Sequence, residues 1–254
     1  MLFHFKVFFF AVLFFVSLLI ISERPVVPSW NFFLLTAGSL IALSVIAAHK
    51  LTDFWYTAYL PSTLALSVPL LLSLIDRGFE TRVFIIAASV LYYGALLGIY
   101  RVRQNPEDKT ARALLNVAAL ASLFFVFTAM YGLYLNYEVP LAILLGVYFF
   151  SSFMVTFQTL YGAAGSKKRE VKLILLFAFS LGMIITELMW VVHFWPFGYL
   201  TIGVSMLINF FFLWRIAFDC IRDQFSWRQT IEESLALLVL LGLLVMTSPW
   251  NLVG

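Results

Sequence analysis

Nine apolar runs, near residues 5–22, 30–48, 55–75, 82–100, 112–135, 139–161, 171–192, 195–214 and 232–248, leave this chain little to become but helices stacked in a bilayer. A helix needs about 20 apolar residues, rising 1.5 Å each, to cross a hydrocarbon layer about 30 Å thick. At that depth backbone groups must be satisfied without water, which only helices and closed barrels achieve. Barrel strands alternate polar and apolar residues; these runs do not, so helices are expected. The composition agrees: 63% of residues are hydrophobic and 11% charged, against about 25% charged in soluble domains. No polar stretch exceeds a loop, so residues 1–254 read as a single polytopic transmembrane domain with short loops. Lys6 ahead of an apolar run mimics a signal peptide, but no small-x-small site precedes Ser22-Glu23-Arg24-Pro25, so an uncleaved first helix is expected.

The basic residues orient these helices. With the N-terminus inside, thirteen of the sixteen Lys and Arg fall on the inner side: Lys6, Lys50, Arg101, Arg103, Lys109, Arg112, Lys167, Lys168, Arg169, Lys172, Arg215, Arg222 and Arg228. Only Arg24, Arg77 and Arg82 fall outside. Positive loops stay cytoplasmic, so the expected topology is N-terminus inside and C-terminus outside. The net charge of +3, carried in loops, points to anionic headgroups of membrane lipids as partners and not to nucleic acid. All seven tryptophans fall within a turn or two of an expected span end, where an indole sits half apolar and half wet. The single Cys220 has no disulfide partner in the chain and reads as an inert thiol on the reducing side.

Local signals sharpen the boundaries. Asn105-Pro106 with Asp108 supplies a helix N-cap, a proline at the first helical position and an acid at the third. Gly78 suits the end of the third helix. Ser226 with Gln229, and Thr230 with Glu233, are two candidate capping boxes for the ninth helix. Two readings stand for residues 215–228: a short amphipathic helix on the inner leaflet, or a solvated extension of the eighth helix. Pro61 and Pro69 fall inside the third run and predict a packing kink, with a gate or hinge as the less favoured reading.

The chemistry-bearing segment is Glu187-Leu-Met-Trp190-Val-Val-His193-Phe-Trp195-Pro196-Phe-Gly198-Tyr199. Glu187 is the one carboxylate placed within an apolar run, about 22 Å along the seventh helix from Lys172. An ionised acid there must be paired, watered or protonated. Trp190 shares its face; His193 is about 120° away around the helix, so the two meet only if the helix bends or ends, as Pro196 encourages. Glu187, Trp190, His193, Trp195 and Tyr199, joined by Glu138 from the turn between the fifth and sixth helices, form the candidate substrate-binding set. The bland reading bonds Glu187 to a neighbouring helix and leaves the aromatics as an interfacial belt. Asn116, Thr156, Gln158 and Asn209 read as interhelical hydrogen-bond partners. No HExxH, Cys/His cluster, Gly-rich phosphate loop or GxSxG occurs, so neither a metal, a cofactor nor a catalytic residue is assigned. His4 and His49 at inner ends and His193 outside serve a haem pair poorly.

The stretch ELMWVVHFWPFGYLT with the C-terminal LLVMTSPW resembles a family of uncharacterised polytopic membrane proteins of reduced-genome bacteria. The resemblance implies a bacterial cytoplasmic membrane and names no activity. The favoured reading is binding or transport of a small solute or lipid through an outer-facing site near Glu187. A non-catalytic scaffold or assembly partner stands second, and a membrane enzyme acting on a lipid-linked substrate third.

Overall fold

The computed structural model describes residues 2–23, 30–52, 54–76, 78–105, 108–137, 139–164, 171–222 and 224–248. Among them are nine α-helices and no strand: α1 (Leu2–Glu23), α2 (Trp30–Thr52), α3 (Tyr59–Leu72), α4 (Phe79–Gln104), α5 (Lys109–Tyr137), α6 (Leu141–Ala164), α7 (Val171–Val192), α8 (Tyr199–Ile221) and α9 (Trp227–Thr247). All but α3 are long and apolar enough to cross a membrane. This is an all-helical, multi-pass membrane protein. The helices form two compact units, Met1–Val126 and Phe127–Gly254. Their boundary lies inside α5, which is why no shift in composition marks it.

In the first unit α3 is the interior helix. Leu60, Pro61, Leu64, Ala65, Val68, Pro69, Leu70, Leu71 and Leu72 are all buried, packed among α1, α2 and α4. Two hydrogen bonds set the directions of its neighbours. The Ser44 and Tyr92 hydroxyls bond at 2.9 Å, and Arg103 Nη1 donates to the Leu51 carbonyl at 2.8 Å. Both link α2 to α4 in rising order, so α2 and α4 run parallel and α3 must travel back between them. Its 14 residues rise about 21 Å, and the 3-10 turn at Trp55–Ala58 adds about 8 Å. Together they reach about 29 Å, close to the thickness of a hydrocarbon core. A short helix suffices because protein surrounds it. Pro61 sits in the first turn, where its missing N–H costs nothing, while Pro69 lies three residues before the end and helps to stop the helix. Antiparallel to α4 lies the start of α5: a Cβ on Gly98 would stand 2.9 Å from Leu115 Cγ and 3.1 Å from the Ala111 carbonyl oxygen.

In the second unit the later half of α5 and the helices α6–α9 alternate in direction. Tyr148 of α6 stacks on Phe127 of α5, with centroids 4.6 Å apart, and its hydroxyl donates to the Phe127 carbonyl at 2.7 Å. Phe149 meets Phe179 of α7 edge-on at 5.5 Å. Trp214 of α8 donates to Thr159 of α6 at 2.9 Å. Along α9, Ser248 reaches Thr201 of α8 at one end and Glu233 reaches Arg215 at the other; α9 buries none of its own residues. Close fit, not an apolar driving force, holds such helices together in lipid, so the small residue Gly203, against Thr128, carries unusual weight.

Several expected boundaries move. The fifth helix starts at Lys109 and its cap is Asp108, whose Oδ1 accepts from the Thr110 and Ala111 amides at 3.0 and 3.1 Å; the expected cap Asn105 instead accepts from the Asp108 amide. Arg101 explains the choice, since its 2.9 Å ion pair holds the Asp108 carboxylate at the helix end. Gly78 immediately precedes α4 and does not close α3, which has already ended at Leu72. Ser226 is the N-cap residue of α9 by position but makes no side-chain cap bond; Gln229 and Glu233 bond to each other instead. Residues 215–221 continue α8 and form no separate amphipathic helix. The Arg215–Asp219 pair one turn apart and the Arg222 guanidinium over the Phe218 ring let α8 run on among polar surroundings. Trp214, two turns before the end of α8, is 7% exposed and packs against its neighbours.

Candidate functional site at the end of α7

Helix α7 has apolar residues on every side, and packing decides which face is covered. Ile174, Ala178, Leu181, Gly182, Ile185, Met189 and Val192 are buried. Leu176, Phe179, Met183, Ile184, Glu187, Trp190 and Val191 are exposed. Glu187 thus stands within an exposed apolar stripe. It has no hydrogen-bond or ion-pair partner among the described residues. Trp190, one turn on, is 53% exposed, and Phe194, two turns on, is 70% exposed. The two rings meet edge-on at 6.2 Å. An acid and two aromatic rings therefore share one outward-looking strip.

His193 belongs to a different face. The helix ends at Val192, and the chain turns through Trp195 and Phe197 with the Trp195 amide bonded to the Val192 carbonyl at 2.9 Å, as Pro196 favours. His193 Nδ1 donates to the Trp190 carbonyl of its own helix. The ring stands edge-on to Tyr134 of α5 at 6.4 Å and contacts Phe194 at 3.9 Å. The structure accordingly does not pair Glu187 with His193. Trp195, exposed, packs edge-on against the buried Phe197, and Tyr199 opens α8 beside the exposed Gly198. Glu138 lies outside the described residues. Sequence reasoning missed Phe194 and Tyr134. The first was within reach, being seven residues from Glu187 and so on the same helical stripe; the second is brought in only by packing.

Of the four polar residues expected to link helices, Thr156 is fully buried without a hydrogen-bond partner for its hydroxyl. Asn209 bonds within its own helix, to the Ser205 carbonyl at 2.8 Å. Bonds between helices that the sequence did not single out include those of Ser44 with Tyr92, Tyr148 with the Phe127 carbonyl and Trp214 with Thr159.

A bundle of long apolar helices, one of which carries an exposed, unpartnered acid inside its apolar stretch, defines a multi-pass membrane protein. Residues 50–247 match the model of the family described as "Protein of unknown function (DUF5656)", and the chain belongs to that family. Among curated proteins and among solved structures, nothing matches it.

Proposed function

We propose that this protein binds a membrane lipid, and that the strip formed by Glu187, Trp190 and Phe194 takes the lipid's ammonium headgroup at the outer face of a bacterial cytoplasmic membrane. The observation that carries the reading is the exposed, unpartnered carboxylate on an apolar stripe. The 22 residues of α7 span about 33 Å; centred on a 30 Å core, they put Glu187 about 7 Å inside the hydrocarbon edge. An ionised carboxylate at the bilayer centre costs about 3 kcal/mol and less toward the edge, so a counter-charge within reach is favoured. With the N-terminus inside, the turns beside Glu187 carry no Lys or Arg. An ammonium from the outer leaflet meets that need, and exposed indole and phenyl faces add cation–π attraction. Passage of a solute through the helix bundle has less support, because Glu187 faces away from the buried side of α7. Catalysis needs a second polar group converging on the acid, and none of the described residues supplies it.

Retention of phosphatidylethanolamine by the purified chain, read by native mass spectrometry, tests this. Glu187→Gln should weaken retention about tenfold, the scale of a charge-assisted hydrogen bond. Trp190→Leu should weaken it a few-fold, while phosphatidylglycerol, which lacks an ammonium, should be unaffected by either change. Undiminished phosphatidylethanolamine retention by Glu187→Gln would overturn the reading.

A further inference from the structure

Four hydroxyl side chains stand along the central part of α6, and they fall into two pairs. Ser151 donates to the Val147 carbonyl at 2.7 Å and Thr159 to the Val155 carbonyl at 2.9 Å, the usual bond of a helical Ser or Thr to its own preceding turn. Ser152 and Thr156 make no such bond. Both are fully buried, and neither oxygen has a hydrogen-bond partner. Ser152 is the twelfth of the 24 residues of α6, so the pair lies near mid-membrane, where bulk water does not reach.

The neighbours of α6 fix the side on which these two stand. Tyr148 faces α5, where it stacks on Phe127. Counted from Tyr148 at about 100° per residue, Thr159, with its Trp214 bond to α8, lies at about 20°. Phe149, at about 100°, faces α7, since a Cβ on Gly182 would stand 3.2 Å from the Phe149 carbonyl oxygen. Ser152 at about 40° and Thr156 at about 80° fall between these contacts, toward the interior of the second unit. Because α6 and α7 run antiparallel, the buried Ala178, one turn before Gly182, comes level with Ser152 and Phe153 and offers only a methyl group. A third unpartnered hydroxyl, that of Thr128, is pressed against Gly203 of α8 and is explained by close packing. Ser152 and Thr156 have no such neighbour. Four residues apart on one helix, they hold their Cβ atoms about 5–6 Å from each other. One water making two O–H···O bonds of about 2.8 Å bridges oxygens up to about 5.6 Å apart.

We infer that α6 binds a structural water between Ser152 Oγ and Thr156 Oγ1. The site is separate from the strip on α7 and rests on different residues. Water suits the pair because each hydroxyl both donates and accepts. Neither α6 nor the buried side of α7 carries a charged residue that would hold an ion there. Buried waters sit where polar groups would otherwise go unmet. The experiment combines thermal unfolding of the full chain in nanodiscs with a structure at a resolution that shows ordered water. Ser152→Ala and Thr156→Val should each lower the unfolding midpoint by about 3 °C, because losing one hydroxyl strips the water of a partner and leaves the other hydroxyl unmet. The double variant should fall by less than the sum of the two, since it removes the unmet group as well. The parent should show density within about 3.2 Å of both oxygens, and Thr156→Val should lack it. Unchanged or raised midpoints in both single variants would overturn the inference, as would additive losses. So would a structure with the two hydroxyls turned onto the carbonyls of Tyr148 and Ser152, which leaves the pair dry.

Discussion

Gly203→Ala should lower the unfolding midpoint in detergent or nanodiscs more than most single-atom additions elsewhere in the chain. A Cβ at position 203 would stand 2.1 Å from Thr128 Oγ1 and 3.1 Å from Thr128 Cα. The first contact is far inside van der Waals range, and the threonine is fully buried on a β-branched stem with little freedom to turn aside. Forcing α5 and α8 apart removes dispersion contacts along both helices, and in lipid those contacts are the main attraction between them. Overpacking of this kind costs about 2–3 kcal/mol. Thr128→Ala removes the closest clash and leaves the backbone approach, so the double variant should recover much, though not all, of the loss. If Gly203→Ala unfolds as the parent does, the close crossing of α5 and α8 is wrong.

A second large effect is expected at Tyr148, which is fully buried, stacked on Phe127 and bonded to its carbonyl. Tyr148→Phe keeps the stacked ring and loses one hydrogen bond, about 1 kcal/mol. Tyr148→Ala removes ring and bond together and should cost about 3–5 kcal/mol, as large core truncations do. The gap between the two variants measures packing and the smaller loss measures the bond. Equal losses from Phe and Ala would contradict this division and assign the whole effect to the hydroxyl.

The helical class was legible because hydrocarbon leaves few alternatives: length and apolar runs alone place most of the elements. Helix ends were less so. Two cap formers, Asn105 and Asp108, stood close together, and only the ion pair from Arg101 decides between them. Of the two readings for residues 215–228, the structure selects a continuation of α8 as far as Ile221, seven residues beyond the apolar run, with Arg215 paired to Asp219 one turn on. The site was half legible. The 120° separation of Glu187 from His193 follows from helical geometry, and the structure keeps the two apart. Which side of α7 faces outward did not follow. A soluble helix marks its covered face with apolar residues, but in lipid both faces are apolar, so periodicity carries little information about burial. Interhelical bonds such as Ser44–Tyr92 were invisible for a related reason: each partner looks ordinary until the helices are brought side by side.

The proposed lipid strip on α7 rests on an expected topology of nine passes, with α3 crossing despite its length and the end of α7 outside. Cys220 is the single cysteine, so a Cys220→Ser background accepts one reporter thiol at a time. With Lys50→Cys, Gly78→Cys, Asn105→Cys and Gly198→Cys introduced singly, a membrane-impermeant maleimide on intact cells should label positions 78 and 198. Positions 50 and 105 should label only after permeabilisation. Labelling of 50 and 78 from the same side, or protection of 198 in intact cells, would contradict the account.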